Sequence, residues 1–280
     1  MEENTITNDD DKKIYNSDDY LRENNLIVTG VAGEQIIFMS NKNSGKSFIV
    51  RDILHHMEQF KNIKEFNINE IIDVPKIVII GKSELDRKQI IRNIMHKLNF
   101  PVTTVISPTN KLTGFYNQLV PLKYIHEKYD DSIVQSILSR QSIVINKLED
   151  SRCLLILDDC ICTNSFFNSS YVQSIYSEGR FYKLPSITTI QCPIGIPPEI
   201  RYNFDYVFLL AENYYSNKKR LYEHYAGMFS DFESFDKTFS QMSKNDNCMV
   251  INNRSRSSNI EDKVFSYKFN ADKKRSFEEI

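Results

Sequence analysis

The sequence predicts an α/β fold in which a mostly parallel sheet is covered by helices on both faces. Continuous apolar runs at 153–157, 186–190 and 206–210 end in polar residues, which is typical of strands buried on both sides. Apolar residues recur at helical spacing between such runs, as in 87–99 and 132–148. Strands that alternate with helices in this way indicate the α/β class.

Composition sets limits on the function. The chain has 280 residues, of which 41% are hydrophobic and 26% charged, so it can bury a full core. We expect a disordered acidic and polar tail at 1–24, then a single domain at 25–280. No apolar run approaches the roughly 18–20 residues of a membrane helix, the N-terminus does not resemble a secretory signal, and we expect no membrane partner. Five cysteines, an odd count, favour a reducing compartment.

A net charge of −2 argues against a protein that coats DNA along its length, although it leaves open a ring that grips DNA through a few loops. Local basic clusters at 217–220 and 253–258 are either contacts to DNA phosphates or solvated faces. Near the C-terminus, the runs "CMVINN" and "KVFSYKF" predict strands that close one side of the sheet.

The tripeptide Gly-Lys-Ser occurs twice, at 45–47 and at 81–83. A phosphate loop leaves a strand, wraps backbone N–H groups around the phosphates and enters a helix. Only the first site offers a full loop, because the strand at 76–80 runs directly into Gly81. We therefore interpret Gly81 as a turn residue at the end of a strand, with Lys82 and Ser83 solvated. The predicted phosphate loop consists of Ser40, Asn41, Lys42, Asn43, Ser44, Gly45, Lys46 and Ser47.

This loop predicts binding of ATP with Mg²⁺. Lys46 is placed to contact the β- and γ-phosphates, and Ser47 to ligate Mg²⁺. Ser40 stands where the pattern has its first glycine, and a small residue can make that turn while its φ stays negative. The alternative is a chance Gly-Lys-Ser at a helix start.

Two further strands end in residues suited to nucleotide hydrolysis. The strand "CLLIL" is followed by Asp158 and Asp159, which predicts that Asp158 holds Mg²⁺ through water and that Asp159 polarises the attacking water. The alternative is a helix N-cap, where Asp is also favoured. Gln191 ends the strand at 186–190 and either senses the γ-phosphate or is an ordinary polar residue. Arg180 is, by spacing alone, a surface arginine.

Four segments carry a resemblance to a known family: "SNKNSGKS", "LLILDDC", "GRFYKLPSITTIQCP" and "GIPPEIRYNFDYVFLL", in this order. Together they resemble the genome-packaging ATPases of large double-stranded DNA viruses, the poxvirus-type family of the FtsK–HerA superfamily. The resemblance spans about residues 34–268. It implies a RecA-like P-loop NTPase core in a homo-oligomeric ring of roughly five or six subunits. It further implies translocation of double-stranded DNA into a capsid at the expense of ATP, capsid proteins as partners, and a location in the viral factory of the host cytoplasm and in the virion.

The resemblance also assigns site residues. It carries over Lys46 and Ser47 as phosphate-loop residues, Asp158 and Asp159 as the acidic pair, and Gln191 as the sensor. It makes Arg180 a trans-acting arginine that completes the site of a neighbouring subunit. The segment 76–100 resembles an insertion, which we expect to add a strand–helix pair at the ring surface. The alternatives are a related DNA-segregation pump, and a structural subunit that binds ATP and hydrolyses it little.

Overall fold

The computed structural model describes residues 5–7, 14–16, 63–161, 164–193 and 196–269. The chain divides into two compact units, 1–62 and 63–280. In the first unit, strand β1 (Thr5–Thr7) pairs antiparallel with β2 (Ile14–Asn16), within the segment expected to be a tail; the domain boundary at 24/25 stays a prediction. The predicted phosphate loop at 40–47 lies outside the described residues.

An eight-stranded sheet forms the centre of the second unit, in the order β10-β9-β8-β3-β7-β6-β4-β5. The six strands from β8 to β5 are parallel, and β9 and β10 are antiparallel. This arrangement confirms the prediction that the last two runs close one side of the sheet. The strands are β3 (Lys76–Ile80), β4 (Val102–Ile106), β5 (Ile125–His126), β6 (Cys153–Asp158), β7 (Ser186–Ile190), β8 (Tyr206–Leu209), β9 (Asn247–Asn252) and β10 (Val264–Lys268).

Helices cover both faces of this sheet. Helix α1 packs on one face through Ile90, Ile91 and Ile94, whereas α3, α4, α6 and α7 contribute to the apolar core on the other face. No helix of the described residues is both long enough and apolar enough to span a bilayer. The helices are α1 (Glu84–Leu98), α2 (Asn110–Thr113), α3 (Asp131–Val144), α4 (Ser170–Ser177), α5 (Pro198–Arg201), α6 (Tyr215–Tyr225) and α7 (Phe232–Met242).

Strand β3 lies in the middle of the sheet, between β7 and β8. All five of its residues are buried, and Ile77 is aligned with Ile187 on one side and Tyr206 on the other. The segment 76–100 forms the expected strand–helix pair, β3 and the helix at 84–98, but the expectation that this pair is an addition at the surface is wrong. The physical reason lies in the sequence itself, because a β-branched run with no polar face must be covered on both sides.

The position of β3 is a topological switch point. From β3 the chain crosses one face through α1 to reach β4, whereas from β7 it passes through α5, on the other face, to reach β8 on the far side of β3. In open α/β sheets, ligands bind at such a point, outside the carboxyl ends of the strands. We call the side where β3, β4, β6, β7 and β8 end the carboxyl edge, and the side where they begin the amino edge.

Candidate active site

Asp158 is the last residue of β6 and is fully buried at the carboxyl edge. Its carboxylate accepts hydrogen bonds from Ser107 Oγ at 3.0 Å and Thr189 Oγ1 at 2.6 Å. Ser107 follows β4 and Thr189 lies in β7, so the strands on both sides of β6 hold this side chain in place. Both of these partners are hydroxyl groups, and carboxylate and hydroxyl oxygens are of the type that Mg²⁺ prefers as ligands.

Asp159 follows directly and has a backbone φ of 52°. This left-handed conformation is uncommon for residues other than glycine, although Asp tolerates it better than most, and it is concentrated at functional sites. The Asp159 N–H donates to Thr189 Oγ1 at 3.0 Å. Neither acid is a helix N-cap, since the next α-helix of the described chain begins at Ser170 and is capped by Ser169.

Two side chains converge on Oδ2 of Asp159. Gln191 Nε2 donates to it at 3.2 Å, so the structure brings together the predicted base and the predicted sensor. Arg87 Nη2 forms an ion pair with the same oxygen, and Arg87 Nη1 donates to the Gly81 carbonyl. The Arg87 side chain is fully buried. Arg87 lies in the first turn of α1, and sequence reasoning missed it because its partner is 72 residues away.

Burial raises the pKa of Asp159 above its ordinary value, and the neighbouring Asp158 carboxylate acts in the same direction. Arg87 and the hydrogen bond from Gln191 lower this pKa but do not outweigh burial. A carboxyl group with a raised pKa is suited to general base work. Nearby, burial and the Asp158 carboxylate raise the pKa of the Tyr116 phenol, which is fully buried.

The second Gly-Lys-Ser forms the turn between β3 and α1. The Gly81 N–H donates to the Ile190 carbonyl at 3.0 Å, and a Cβ at this position would lie 2.4 Å from Leu210 Cβ. Gly81 is thus confirmed as a turn residue at the end of a strand. Ser83 caps α1 by accepting a hydrogen bond from the Asp86 N–H at 3.3 Å. A turn of three residues, 81–83, is too short to wrap a nucleotide's phosphates.

The sequence predicted that Lys82 is solvated. Its side chain is 47% exposed, but it also makes two contacts. Its Nζ lies 3.1 Å from a carboxylate oxygen of Glu212 and 3.7 Å from the ring centre of Tyr214. Burial acts to raise the pKa of Glu212, but hydrogen bonds from the Tyr214 N–H, from Asn217 and from Lys82 outweigh it, so this pKa is lowered. The contact ties the turn after β3 to the segment after β8.

Arg180 lies at the amino edge, at the opposite end of the strands from the acidic pair. Its half-exposed side chain forms an ion pair with Asp205, which is buried just before β8. Asp205 also accepts from the Lys76 N–H at 2.9 Å and lies 3.4 Å from Arg254 Nη1. Within one chain Arg180 therefore does not join Asp158 and Asp159, and its role toward a neighbouring subunit stays a prediction.

The residues predicted to hold the nucleotide, Ser40 to Ser47, lie outside the described part of the chain. Of the predicted site, the structure brings together Asp158, Asp159 and Gln191. Among the described residues, no group of three or more His, Cys, Asp or Glu side chains is arranged to hold a metal ion on its own. This finding leaves the prediction of Mg²⁺ dependent on the phosphate loop.

No protein-family model matches the chain. The chain is 36% identical to the uncharacterized protein L437 of Acanthamoeba polyphaga mimivirus over 226 residues, which cover 77% of this chain and 79% of the relative. It is 33% identical to the uncharacterized protein 088R of Invertebrate iridescent virus 3 over 195 residues, covering 69% of this chain and 75% of that one. The uncharacterized protein 075L of Invertebrate iridescent virus 6 matches with the same identity and coverage.

Solved structures share the fold. One is the genome packaging NTPase B204 from Sulfolobus turreted icosahedral virus 2 in complex with ATP-gammaS, with a TM-score of 0.50, 11% identity, and coverage of 71% of this chain and 98% of that one. Another is B204, the DNA-packaging ATPase from Sulfolobus Turreted Icosahedral Virus, with a TM-score of 0.50, 11% identity and coverage of 70% and 98%. The predicted α/β fold, with its mostly parallel sheet and P-loop NTPase architecture, is confirmed.

Proposed function

The chain belongs to the viral protein family that includes L437 of mimivirus and 088R of Invertebrate iridescent virus 3, and on that premise we propose that it is an ATPase that packages double-stranded DNA into a capsid. The observation that carries the proposal is the acidic pair at the switch point, with Gln191 hydrogen-bonded to Asp159. The fold supports it, because B204 is a genome packaging NTPase solved with a nucleotide analogue. Membership of the FtsK–HerA superfamily is part of the proposal, and the resemblance of the four motifs to that superfamily supports it.

In this proposal the 40–47 loop binds the phosphates of ATP through its backbone N–H groups and Lys46. Ser47 and Asp158 would hold Mg²⁺, and the hydroxyl groups of Ser107 and Thr189 beside Asp158 are compatible with an ion that prefers oxygen ligands. When bound, Mg²⁺ would supply stabilisation of negative charge on the phosphate oxygens. Asp159 orients the attacking water and accepts its proton. Gln191 holds the Asp159 carboxylate in position through its hydrogen bond.

The proposed assembly is a ring in which Arg180 of one subunit reaches the nucleotide of the next. Departure of Arg180 would leave Asp205 with the Lys76 N–H and Arg254 as partners, so the amino edge can release this arginine without leaving a buried carboxylate alone. The proposed partners are double-stranded DNA and capsid proteins, with no membrane. The proposed locations are the viral factory and the virion.

A second candidate is a structural subunit that binds ATP and hydrolyses it little. The ion pair between Arg87 and Asp159 favours it, because a carboxylate held by a buried guanidinium is not free to polarise water. The two candidates differ in turnover, whereas both require nucleotide binding.

The test is the steady-state rate of ATP hydrolysis by the full chain, with and without long double-stranded DNA. We expect DNA to raise the rate severalfold and Lys46→Ala to abolish it. The control is Lys111→Ala, which removes an exposed cation paired with Glu127 and should leave the rate unchanged. ATP binding without turnover, indifferent to DNA, would support the structural subunit and contradict the packaging ATPase.

A further inference from the structure

We propose that Arg87 distinguishes nucleoside triphosphate from diphosphate at this site, by transferring its guanidinium contact from Asp159 to the terminal phosphate. The inference rests on the proposed function and adds to it a positioning residue outside the phosphate loop. Arg87 is distinct from the site residues predicted from the sequence, which include the acidic pair, Gln191 and the 40–47 loop.

The hydrogen bonding of Arg87 is incomplete. Its guanidinium contacts Asp159 and the Gly81 carbonyl, but its buried Nε–H has no acceptor among the described residues. Guanidinium carries five N–H donors in a planar fork, and a buried donor without an acceptor is costly. Phosphate oxygens are acceptors that match this fork, so a terminal phosphate would supply what the resting site lacks.

The next residue of this helix, Lys88, is a buried cation with hydrogen-bond partners for its ammonium group. Lys88 is also buried, with a side chain that is 3% exposed, but its ammonium group pairs with Glu84 and donates to Thr113 Oγ1 at 3.0 Å. Its contacts hold α1 against α2. Arg87, in contrast, is directed to the acidic pair and makes its ion pair with the proposed base.

The place of Arg87 in the fold favours an anionic ligand. It lies in the first turn of a helix of 15 residues that begins at the switch point, where the helix dipole attracts negative charge. Gln191 is exposed, whereas the Asp159 side chain keeps only 8% of its surface exposed, so this point borders solvent on the Gln191 side. A terminal phosphate positioned for attack brings a second anion to Asp159, and repulsion between the two is relieved when they share a cation.

A diphosphate has no group at that position. It therefore leaves Arg87 on Asp159, in the resting arrangement. A triphosphate draws the guanidinium away and frees the carboxylate for water. The ion pair thus keeps the base inactive until the substrate is bound.

The test is the affinity of the full chain for ATPγS and for ADP, measured by calorimetry with Mg²⁺ for the wild type, Arg87→Met, Arg87→Lys and Arg92→Met. Arg92 lies on the same helix, over the Phe115 ring, and serves as the matched control. We expect Arg87→Met to reduce the preference for ATPγS over ADP by about tenfold or more, the size of a lost charge-assisted contact. ADP affinity should change little, Arg87→Lys should give an intermediate preference, and Arg92→Met should match the wild type.

Arg87→Met leaves the Asp159 carboxylate without its cation and can unfold the chain. The comparison of Asp159→Asn with Asp159→Asn/Arg87→Met avoids an unpaired carboxylate, because residue 159 is neutral in both variants. We expect the single variant to keep its preference for ATPγS and the double variant to lose it. An equal preference in the two, with nucleotide bound, would overturn this inference alone, whereas a wild-type chain that binds neither nucleotide would overturn the proposed function as well.

Discussion

Asp159 at the carboxyl edge and Asp205 at the amino edge each pair with an arginine, but the two pairs differ in their access to water. Arg87 is fully buried on Asp159, whereas Arg180 remains 49% exposed on Asp205. Asp205 has further partners in the Lys76 N–H and in Arg254, which is 43% exposed. An arginine that keeps its hydration loses little on pairing, whereas a pair withdrawn from water bears the desolvation of both charges.

The difference indicates that Asp205 has a structural role and that Asp159 has a chemical one. Asp205 joins the start of β8 to the start of β3 and to the segment before β7, which accounts for a buried carboxylate in structural terms. The Asp159 carboxylate contacts Gln191, just after β7, and the buried Arg87 of α1, and Asp159 adopts a left-handed backbone. Costly features of this kind are concentrated where a group has a chemical task.

The largest expected effect concerns Arg180, which lies at the amino edge and is proposed to contact the nucleotide of a neighbouring subunit in the assembled ring. Arg180→Ala should leave nucleotide affinity near the wild-type value and lower turnover in the ring by about 10³-fold, as loss of a trans-acting arginine does. The control is Arg254→Ala, which removes the other arginine on Asp205 and should cost less than about threefold in turnover. Wild-type turnover by Arg180→Ala in an assembled ring would contradict the assignment.

A second prediction tests the central position of β3. Gly81→Ala should lower the free energy of unfolding by about 1–3 kcal/mol, because the new Cβ would overlap Leu210 in a closely packed core. Gly227→Ala is the matched control, since a Cβ there meets nothing within 4 Å, and it should change stability by less than about 0.5 kcal/mol. Denaturant unfolding measures both. Equal stability of the two variants would mean that β3 does not lie against the end of β8.

A third prediction concerns pH and Lys76 at the amino edge. Burial, and then the nearby Arg180, lower the pKa of Lys76 from 10.5 to about 8, against the opposite effect of Asp205. Below this pKa, Lys76 is protonated in both the folded and the unfolded chain. The folded chain then bears the full free-energy cost of burying the charged ammonium group. Between pH 8 and 10.5 the folded chain releases the proton first, so the free energy of unfolding rises with pH, by at most about 1.4 kcal/mol per unit.

Lys76→Met should remove this rise. Urea unfolding at pH 7.5, 8.5 and 9.5 would show a stability advantage of Lys76→Met over the wild type that shrinks as pH increases. The control is the exposed Lys97→Met, which should follow the wild type at every pH. A difference between Lys76→Met and the wild type that is constant across the series would show that Lys76 does not titrate in this window.

Much of the carboxyl edge was predictable from local sequence. Apolar runs that end in polar residues located β6 and β7, and with them Asp158, Asp159 and Gln191, because strand burial and strand direction are set by neighbouring residues. The strand at 76–80 was also recognised, but its position was not. The resemblance treated it as an insertion, although its lack of any polar residue beyond Lys76 indicated burial on both faces.

The partners of charged groups could not be predicted. Arg87 meets Asp159 across 72 residues, and Arg180 meets Asp205 across 25. Such contacts depend on which strands lie side by side, and the strand order is a property of the whole sheet. In the sequence, Arg87 is one of several cations on an amphipathic helix, and no local feature marks it as the one that is buried.

The most direct test of the central claim compares Asp159→Asn with Asp205→Asn in one experiment, measuring the rate of ATP hydrolysis per folded molecule beside the thermal unfolding of each variant. Both substitutions remove the charge of a buried carboxylate that pairs with an arginine, so both should lower stability. We predict that Asp159→Asn loses about 10²-fold or more in turnover, the contribution of a general base, while Asp205→Asn stays within about threefold of the wild type. Equal losses of turnover in the two variants, or near-wild-type turnover in Asp159→Asn, would contradict the assignment of the chemistry to the carboxyl edge.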